Sequence, residues 1–494
     1  MKRPIILSAH SMRVRLNSPG FSYDVHSLVK AFFPREEVKI DMGEGEDACD
    51  ICVFVMPADI ETDGVYSGYV RVSAGAGDRT DTGKIPFDRQ TRAEVKSVVK
   101  KALYGVLSDI TGKSLPWGTM TGIRPVKVPM KLIRSGSSDE AIRDHMKSVY
   151  LCSDEKISLA TKIAHLEKEV TESLPENGFS LYVGIPFCPT TCMYCSFTSY
   201  PIAAWRDRTD AYLDALRHEM DRISERFAGR VADSIYIGGG TPTTLSAAQL
   251  SRLIGDIRER FDLSELREFT VEAGRPDSIT EEKLLAIREG GADRISVNPQ
   301  TMNDKTLELI GRRHTVKDVY TAMETARNAG FSNINTDLIL GLPGEDEEDV
   351  RHTFRLIEEL APDSLTVHSL AVKRASAIHE YIAENGIHDD TGNMMRIATD
   401  TAGRLGLVPY YLYRQKNMSG NLENVGFARK DHPGIYNIVI MEEISDIVAL
   451  GAGTISKRVF PDGRIERCDN VKDVAMYIDR IDEMIERKEK LFGT

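Results

Sequence analysis

The apolar positions of this chain follow two different rhythms, and the change between them divides it. Over residues 1–90, short apolar runs at Ile5–Ala9, Ile51–Val55 and Tyr69–Ala74 are separated by polar or glycine-containing turns at 43–47 and 73–83. That pattern predicts an α+β module. Residues 91–175 read as helical. Thr91–Gly112 and Ser153–Ser173 each carry an apolar stripe at helical spacing, with the turn-rich segment Leu115–Lys127 between them. Residues 173–180 read as a linker.

From Tyr182 the chain changes to a regular exchange of strand and helix. Strands are predicted at Tyr182–Ile185, Ser234–Ile237, Glu268–Glu272, Arg294–Val297, Asn333–Leu340 and Ser364–Leu370. Helices are predicted at Asp210–Phe227, Ser246–Phe261, Thr280–Glu289, Val316–Asn328 and Glu347–Leu360. Ser278 and Glu281 have capping-box spacing, and Gly330 is a helix stop. Parallel strands need crossover connections, so this alternation predicts a partial (β/α)6 barrel of the TIM type over residues 176–372. Chemistry would then gather at the C-terminal strand ends. Residues 373–494 are expected to be a mostly helical, substrate-covering extension with a tyrosine-rich run at 409–415 and a solvated last helix.

Composition narrows the class. The chain has 494 residues, a net charge of −12, 28% charged and 41% hydrophobic residues. These values exclude disordered, collagen-like and small disulfide-scaffold proteins. No apolar run approaches the ~20 residues of a membrane span. The N-terminal apolar stretch is too short for a signal peptide, so a cytoplasmic location is expected. The acidic balance argues against a nucleic-acid partner. Seven cysteines are too few for a disulfide framework, and reduced thiols are expected. Cys49 and Cys52 form a CxxC inside an apolar run and are expected to be core thiols; Cys152 and Cys468 are isolated and expected to be structural.

Cys188, Cys192 and Cys195 directly follow the first barrel strand as C-x3-C-x2-C. Three thiolates on one tight loop can hold three irons of a cubane cluster and leave the fourth open. A structural zinc site usually takes four protein ligands. No second CxxC lies nearby, so zinc would need a distant His or Cys468.

With Tyr194 before the third cysteine, the loop resembles the signature of the radical S-adenosylmethionine (SAM) superfamily. The resemblance implies a [4Fe-4S] cluster and SAM, as one molecule or two. Further motifs, in order, resemble the oxygen-independent coproporphyrinogen III oxidase group. Gly238-Gly239-Gly240-Thr241-Pro242 follows the second strand, and Glu272 closes the third. Gln300 and Arg312 come after the fourth, Asp337 lies within the fifth, and Ala371 follows the sixth. By this resemblance Tyr182, Gly239, Gly240, Thr241, Glu272, Gln300, Arg312, Asp337, Ala371 and Ile455 line the cofactor pocket, and Cys188, Cys192 and Cys195 bind the metal. The likeness covers roughly residues 180–460. Phrases such as EAGRPDSI and NPQTMND match the HemZ-type branch, as does the N-terminal region with PWGTMTGIRP. That region does not resemble the short N-terminal tripwire of the best-studied oxidases.

The family reading implies a radical SAM oxidoreductase of porphyrin and heme biosynthesis that decarboxylates coproporphyrinogen III propionates to vinyls. An electron donor such as flavodoxin or ferredoxin would serve it. An anionic tetrapyrrole needs cations, and Arg414, Lys416, Arg429, Lys430, Lys457 and Arg458 stand among Tyr410, Tyr411, Tyr413 and Phe427. Two alternatives stay open: methyl or alkyl transfer with a second SAM, and a haem chaperone with His368 or His432 as candidate ligands. His368 otherwise reads as a core histidine.

Overall fold

The structure, a computed structural model, describes residues 11–34, 36–44, 49–56, 65–76, 79–195, 199–371, 378, 381, 391–415 and 422–493. The strand expected at Ile5–Ala9 and the candidate Lys416 lie outside them. The chain forms two compact units, Met1–Ala164 with Arg414–Leu422, and His165–Tyr413 with Glu423–Thr494.

In the first unit five strands make one sheet: β1 (Met12–Leu16), β2 (Val38–Met42), β3 (Ile51–Met56), β4 (Val65–Ala76) and β5 (Arg79–Thr91). Their order is β2-β1-β3-β4-β5, with β1 parallel to β2 and β3 and the rest antiparallel. Val14, Leu16, Val53, Val70 and Val72 bury one face against Val25, Val29, Val99 and Leu103 of helices Ser22–Phe32 and Arg92–Thr111. A capping box between Thr91 and Glu94 starts the second helix, and Gly112 in the left-handed region ends it.

Cys49 and Cys52 are not two core thiols; they form a disulfide with a Cα–Cα separation of 6.4 Å. The cause is local. Asp50 donates its backbone N–H to Arg13 O (3.0 Å) and accepts from Arg13 N (2.7 Å), which turns the chain so that Cys49 doubles back beside Cys52.

The second unit carries the predicted alternation. β6 (Gly178–Ile185), β9 (Val231–Gly239), β10 (Glu268–Gly274), β11 (Arg294–Val297), β12 (Ile334–Leu340) and β13 (Ser364–Ser369) pair in parallel, in that order. Between β6 and β9, the two-residue strands β7 (Phe187–Cys188) and β8 (Tyr200–Pro201) pair with each other. Helices fall where their spacing placed them, at Thr209–Ser224, Ala247–Arg260, Glu281–Glu289, Val316–Asn328 and Glu347–Leu360. One cap differs. Thr280, not Ser278, accepts from the backbone of Lys283, because Pro276–Ser278 is a 3-10 turn. Ser278 instead donates to Arg275 O (2.8 Å) and pairs with Thr243 (2.7 Å).

The C-terminal extension is helical at Thr391–Arg404, Ile435–Glu442, Val474–Asp479 and Ile481–Phe492, and it also contributes strands. β14 (Val408–Tyr413) and β15 (Asn424–Ala428) lengthen the sheet beyond β13. β16 (Asp446–Leu450), β17 (Ile455–Val459) and β18 (Ile465–Asp469) lengthen it beyond β6, giving eleven strands among the described residues. β15 is buried on both faces and so lacks the alternation that marks a strand in sequence.

The last helix is not wholly a solvated face. Lys490 pairs with Glu486 at 2.8 Å in the expected i,i+4 manner, yet Lys488 is fully buried. Its ammonium contacts Glu219 and donates to Asn470 Oδ1 (2.5 Å). Glu219 also accepts from Tyr477 OH (2.6 Å), Asn470 Nδ2 (2.9 Å) and Gly451 N (2.8 Å). Thus a buried ion pair ties the last helix to the helix Thr209–Ser224, whose Glu219 also holds the loop after β16.

Candidate active site

Polar residues interrupt the apolar strands at every second position, and strand register gathers them on one face. Tyr182 lies opposite Tyr236, Tyr236 opposite Thr270, Glu272 opposite Ser296, Ser296 opposite Asn335, and Asp337 opposite Thr366. A buried face of this kind must satisfy its own polar groups or hold a ligand that does.

The cysteine loop leaves β6 at its C-terminal end. Met193 N bonds Ile310 O (3.0 Å), Cys195 N bonds Cys192 O (3.0 Å), and Arg275 donates to Thr190 Oγ1 (2.5 Å). Cys188, Cys192 and Cys195 are free and half-buried. Thr241 Oγ1 donates to Cys188 Sγ at 3.5 Å, and burial pushes that thiol up to about 11.

The glycine turn after β9 is cut to fit this loop. A Cβ on Gly240 would lie 2.6 Å from Phe187 O and 3.0 Å from Cys188 Sγ. Gly239 has φ +107°, in the region that favours glycine. Gly240 N and Thr241 N bond Ile185 O (2.8 Å) and Phe187 O (2.7 Å), fastening the turn to the cysteine strand. The thiols and the glycine cradle therefore suit a cluster with a ligand lying close to the backbone.

Glu272 is the acid of this face. Tyr236 OH donates to its Oε1 at 2.5 Å, and the rings of Tyr182, Tyr236 and Tyr436 stack 4.8–6.0 Å apart beside it. Burial pushes the Glu272 carboxyl up to about 7 from its ordinary 4.5. A raised carboxyl contributes stability that is complete below about pH 4.5 and lost as pH rises through about 7. Glu272→Gln is expected to remove about 3 kcal/mol of that pH dependence, read as the difference between the two proteins' thermal midpoints from pH 4 to 8.

Gln300 sits at φ +74°, left-handed for a non-glycine residue. Its N–H donates to Asp337 O (3.0 Å) and its carbonyl accepts from Ile339 N (2.9 Å), so Gln300 is locked against the strand carrying Asp337. Burial opposes ionisation of Asp337. His368, with hydrogen bonding from Asn335 and Thr366, nevertheless holds its carboxyl below the usual range. Arg312 is buried against Cys192 and Tyr194 and donates to Asn298 O, supporting the cysteine loop. Ala371 is half-buried after β13. Ile455 is 47% exposed at the start of β17, while its neighbour Thr454 packs toward Gly184.

Sequence reasoning missed Tyr236 and Tyr436, although Tyr236 falls two residues before Gly238, in phase with the inward face. Several of the candidate cations have partners within the protein. Arg414 is buried in the first unit, donating to Met120 O (2.5 Å) and Leu422 O (3.3 Å). Arg429 pairs with Asp363 (3.0 Å) and Lys457 with Glu443 (3.4 Å), and Arg458 donates to Leu491 O (2.8 Å). Cys152 is structural as expected, buried and donating to Trp117 O. Among the described residues no helix is long and apolar enough to cross a membrane.

A family model described as the radical SAM superfamily matches residues 182–357. The chain is 39% identical over 475 residues to the oxygen-independent coproporphyrinogen-III oxidase-like protein HemZ of Bacillus subtilis, covering 92% of this chain and 94% of that protein. It is 40% identical over 210 residues to the heme chaperone HemW of the same organism, covering 42% of this chain and 55% of the chaperone. Among solved structures, coproporphyrinogen III oxidase (HemN) from Escherichia coli, a radical SAM enzyme, superposes with a TM-score of 0.51 at 26% identity. That match covers 65% of this chain and 73% of HemN.

Proposed function

Because this chain belongs to the oxygen-independent coproporphyrinogen III oxidase-like family of radical SAM proteins, we propose that it decarboxylates two propionates of coproporphyrinogen III to vinyls, forming protoporphyrinogen IX. The observation that carries this reading is the fit of the glycine turn to the thiol loop, with the empty Cβ position of Gly240 3.0 Å from Cys188 Sγ.

Cys188, Cys192 and Cys195 would hold a [4Fe-4S] cluster. Among the described residues no three His, Cys, Asp or Glu side chains converge for a single ion. When bound, the cluster and SAM supply the radical that takes hydrogen from a propionate β-carbon. Breaking the bond to the carboxylate would release CO2 and leave the vinyl, with the one electron set free passing to an external one-electron acceptor, and a flavodoxin- or ferredoxin-type protein would supply reducing electrons to the cluster. The chain's own part is placement. Gly239, Gly240 and Thr241 offer backbone to the cofactor, Glu272 and Asp337 are candidate acceptors for its polar groups, and the tyrosine stack excludes water. Gln300, Arg312, Ala371, Tyr182 and Ile455 complete the proposed pocket.

The similarity to HemW supports a second reading, haem binding and transfer. Anaerobic turnover of cluster-reconstituted protein with SAM, reductant and coproporphyrinogen III, followed by mass spectrometry, tests both. Loss of two CO2 from the tetrapyrrole with formation of 5′-deoxyadenosine is expected. SAM cleavage with an unchanged tetrapyrrole overturns the substrate. S-adenosylhomocysteine with a gain in product mass would mean group transfer, and tight haem binding without turnover would mean a chaperone.

A further inference from the structure

A substrate with four carboxylates needs cations within reach of the reacting site, and Arg414, Arg429, Lys457 and Arg458 are engaged elsewhere. Arg294 does lie on the strand face that carries Ser296. However, it is buried, donates to Ser364 (3.1 Å) and Tyr410 (3.4 Å), and stands near the Glu268 carboxylate.

His368 is different. It follows Thr366 by two positions on β13, so both present their side chains to the same face of the sheet. Its Nε2 lies 3.9 Å from Asp337 Oδ2, and its side chain keeps 27% of its surface open. The Asp337 carboxylate is itself held by Asn335 Nδ2 (2.7 Å), whose carbonyl accepts from Thr366 Oγ1 (3.2 Å). Thr366, Asn335, Asp337 and His368 thus form a chain of contacts that ends in a partly open imidazole. A doubly protonated imidazole has donors at both ring nitrogens, so it can bridge two carboxylates. One nitrogen faces Asp337, and the other remains for an incoming acceptor.

We propose that His368 is a substrate-binding residue that takes up one carboxylate of the anionic tetrapyrrole, held in place by Asp337. This rests on the functional reading above. The bond is charge-assisted and leaves the propionate ionised, with no proton or electron transferred. His368 therefore fixes the orientation of the macrocycle and takes no part in hydrogen abstraction.

The test uses full-length, cluster-reconstituted protein and coproporphyrin III, the air-stable tetracarboxylate, titrated by fluorescence, with SAM binding measured in parallel. His368→Gln is expected to weaken coproporphyrin binding roughly tenfold, the loss of one charge-assisted hydrogen bond, and to change SAM affinity by much less, since Asp337 keeps its bond from Asn335. His368→Asn is the second variant should the first fail to fold. Unchanged coproporphyrin affinity in a folded variant overturns the assignment alone. A parallel loss of SAM affinity also overturns it, because His368 would then serve the cofactor. Failure of the unsubstituted protein to bind coproporphyrin, with SAM still bound, overturns both the functional reading and the inference.

Discussion

A Cys192→Ala protein is expected to fold normally and to lose all SAM cleavage. Each of the three thiolates would hold a different iron, so deleting one leaves an iron with no protein ligand and the cluster unsupported. The fold should not notice. Cys192 is half-buried, and the bonds that fasten its loop, Cys195 N to Cys192 O and Met193 N to Ile310 O, come from backbone that alanine keeps. Iron and sulfide content, 5′-deoxyadenosine formation and a thermal melt on the same sample separate the two effects. Retention of full cleavage would remove the cysteine loop from the mechanism.

The largest effect on stability is expected at Lys488. Lys488→Met leaves the Glu219 carboxylate, fully buried, without its countercharge, and loss of one partner of a buried pair costs about 3–5 kcal/mol. Tyr477, Asn470 and Gly451 still donate to Glu219, but they do not neutralise it. Adding Glu219→Gln to Lys488→Met removes the stranded charge and should recover most of the loss. Thermal denaturation of the single and double variants at neutral pH decides the matter. A single variant as stable as the parent would overturn the prediction.

What could be read from the sequence depended on how locally each feature is determined. The cysteine loop and the six parallel strands were legible because spacing and alternation are local, and Arg294–Val297 and Val316–Asn328 have the predicted limits. β14 to β18 were not placed, since their partners lie far away in sequence and β15 shows no alternation to reveal it. Arg414 reads as an anion binder because arginines are usually exposed, whereas distant carbonyls at Met120 and Leu422 claim it. The Cys49–Cys52 bond depended on a turn held by Arg13, some 37 residues before Asp50. Asp337 and Glu272 were found through shared motif order. Tyr436 carried no comparable signal, because it reaches the stack from the helix Ile435–Glu442 and not from a barrel strand.

The pairing of β6 with β16 also bears on the order of events during synthesis. Residues 178–185, the strand that leads into the cysteine loop, are flanked on one side by residues 446–450, far away in sequence. While the ribosome is still making the middle of the protein, that edge of β6 has no neighbour, and its unpaired amides and carbonyls face whatever is present. The seat of the three thiols is therefore finished only after residues 446–450 have emerged. Cluster insertion into a completed seat must wait for residues 446–450, and a chain cut before Asp446 would leave its thiol-bearing strand with an open edge.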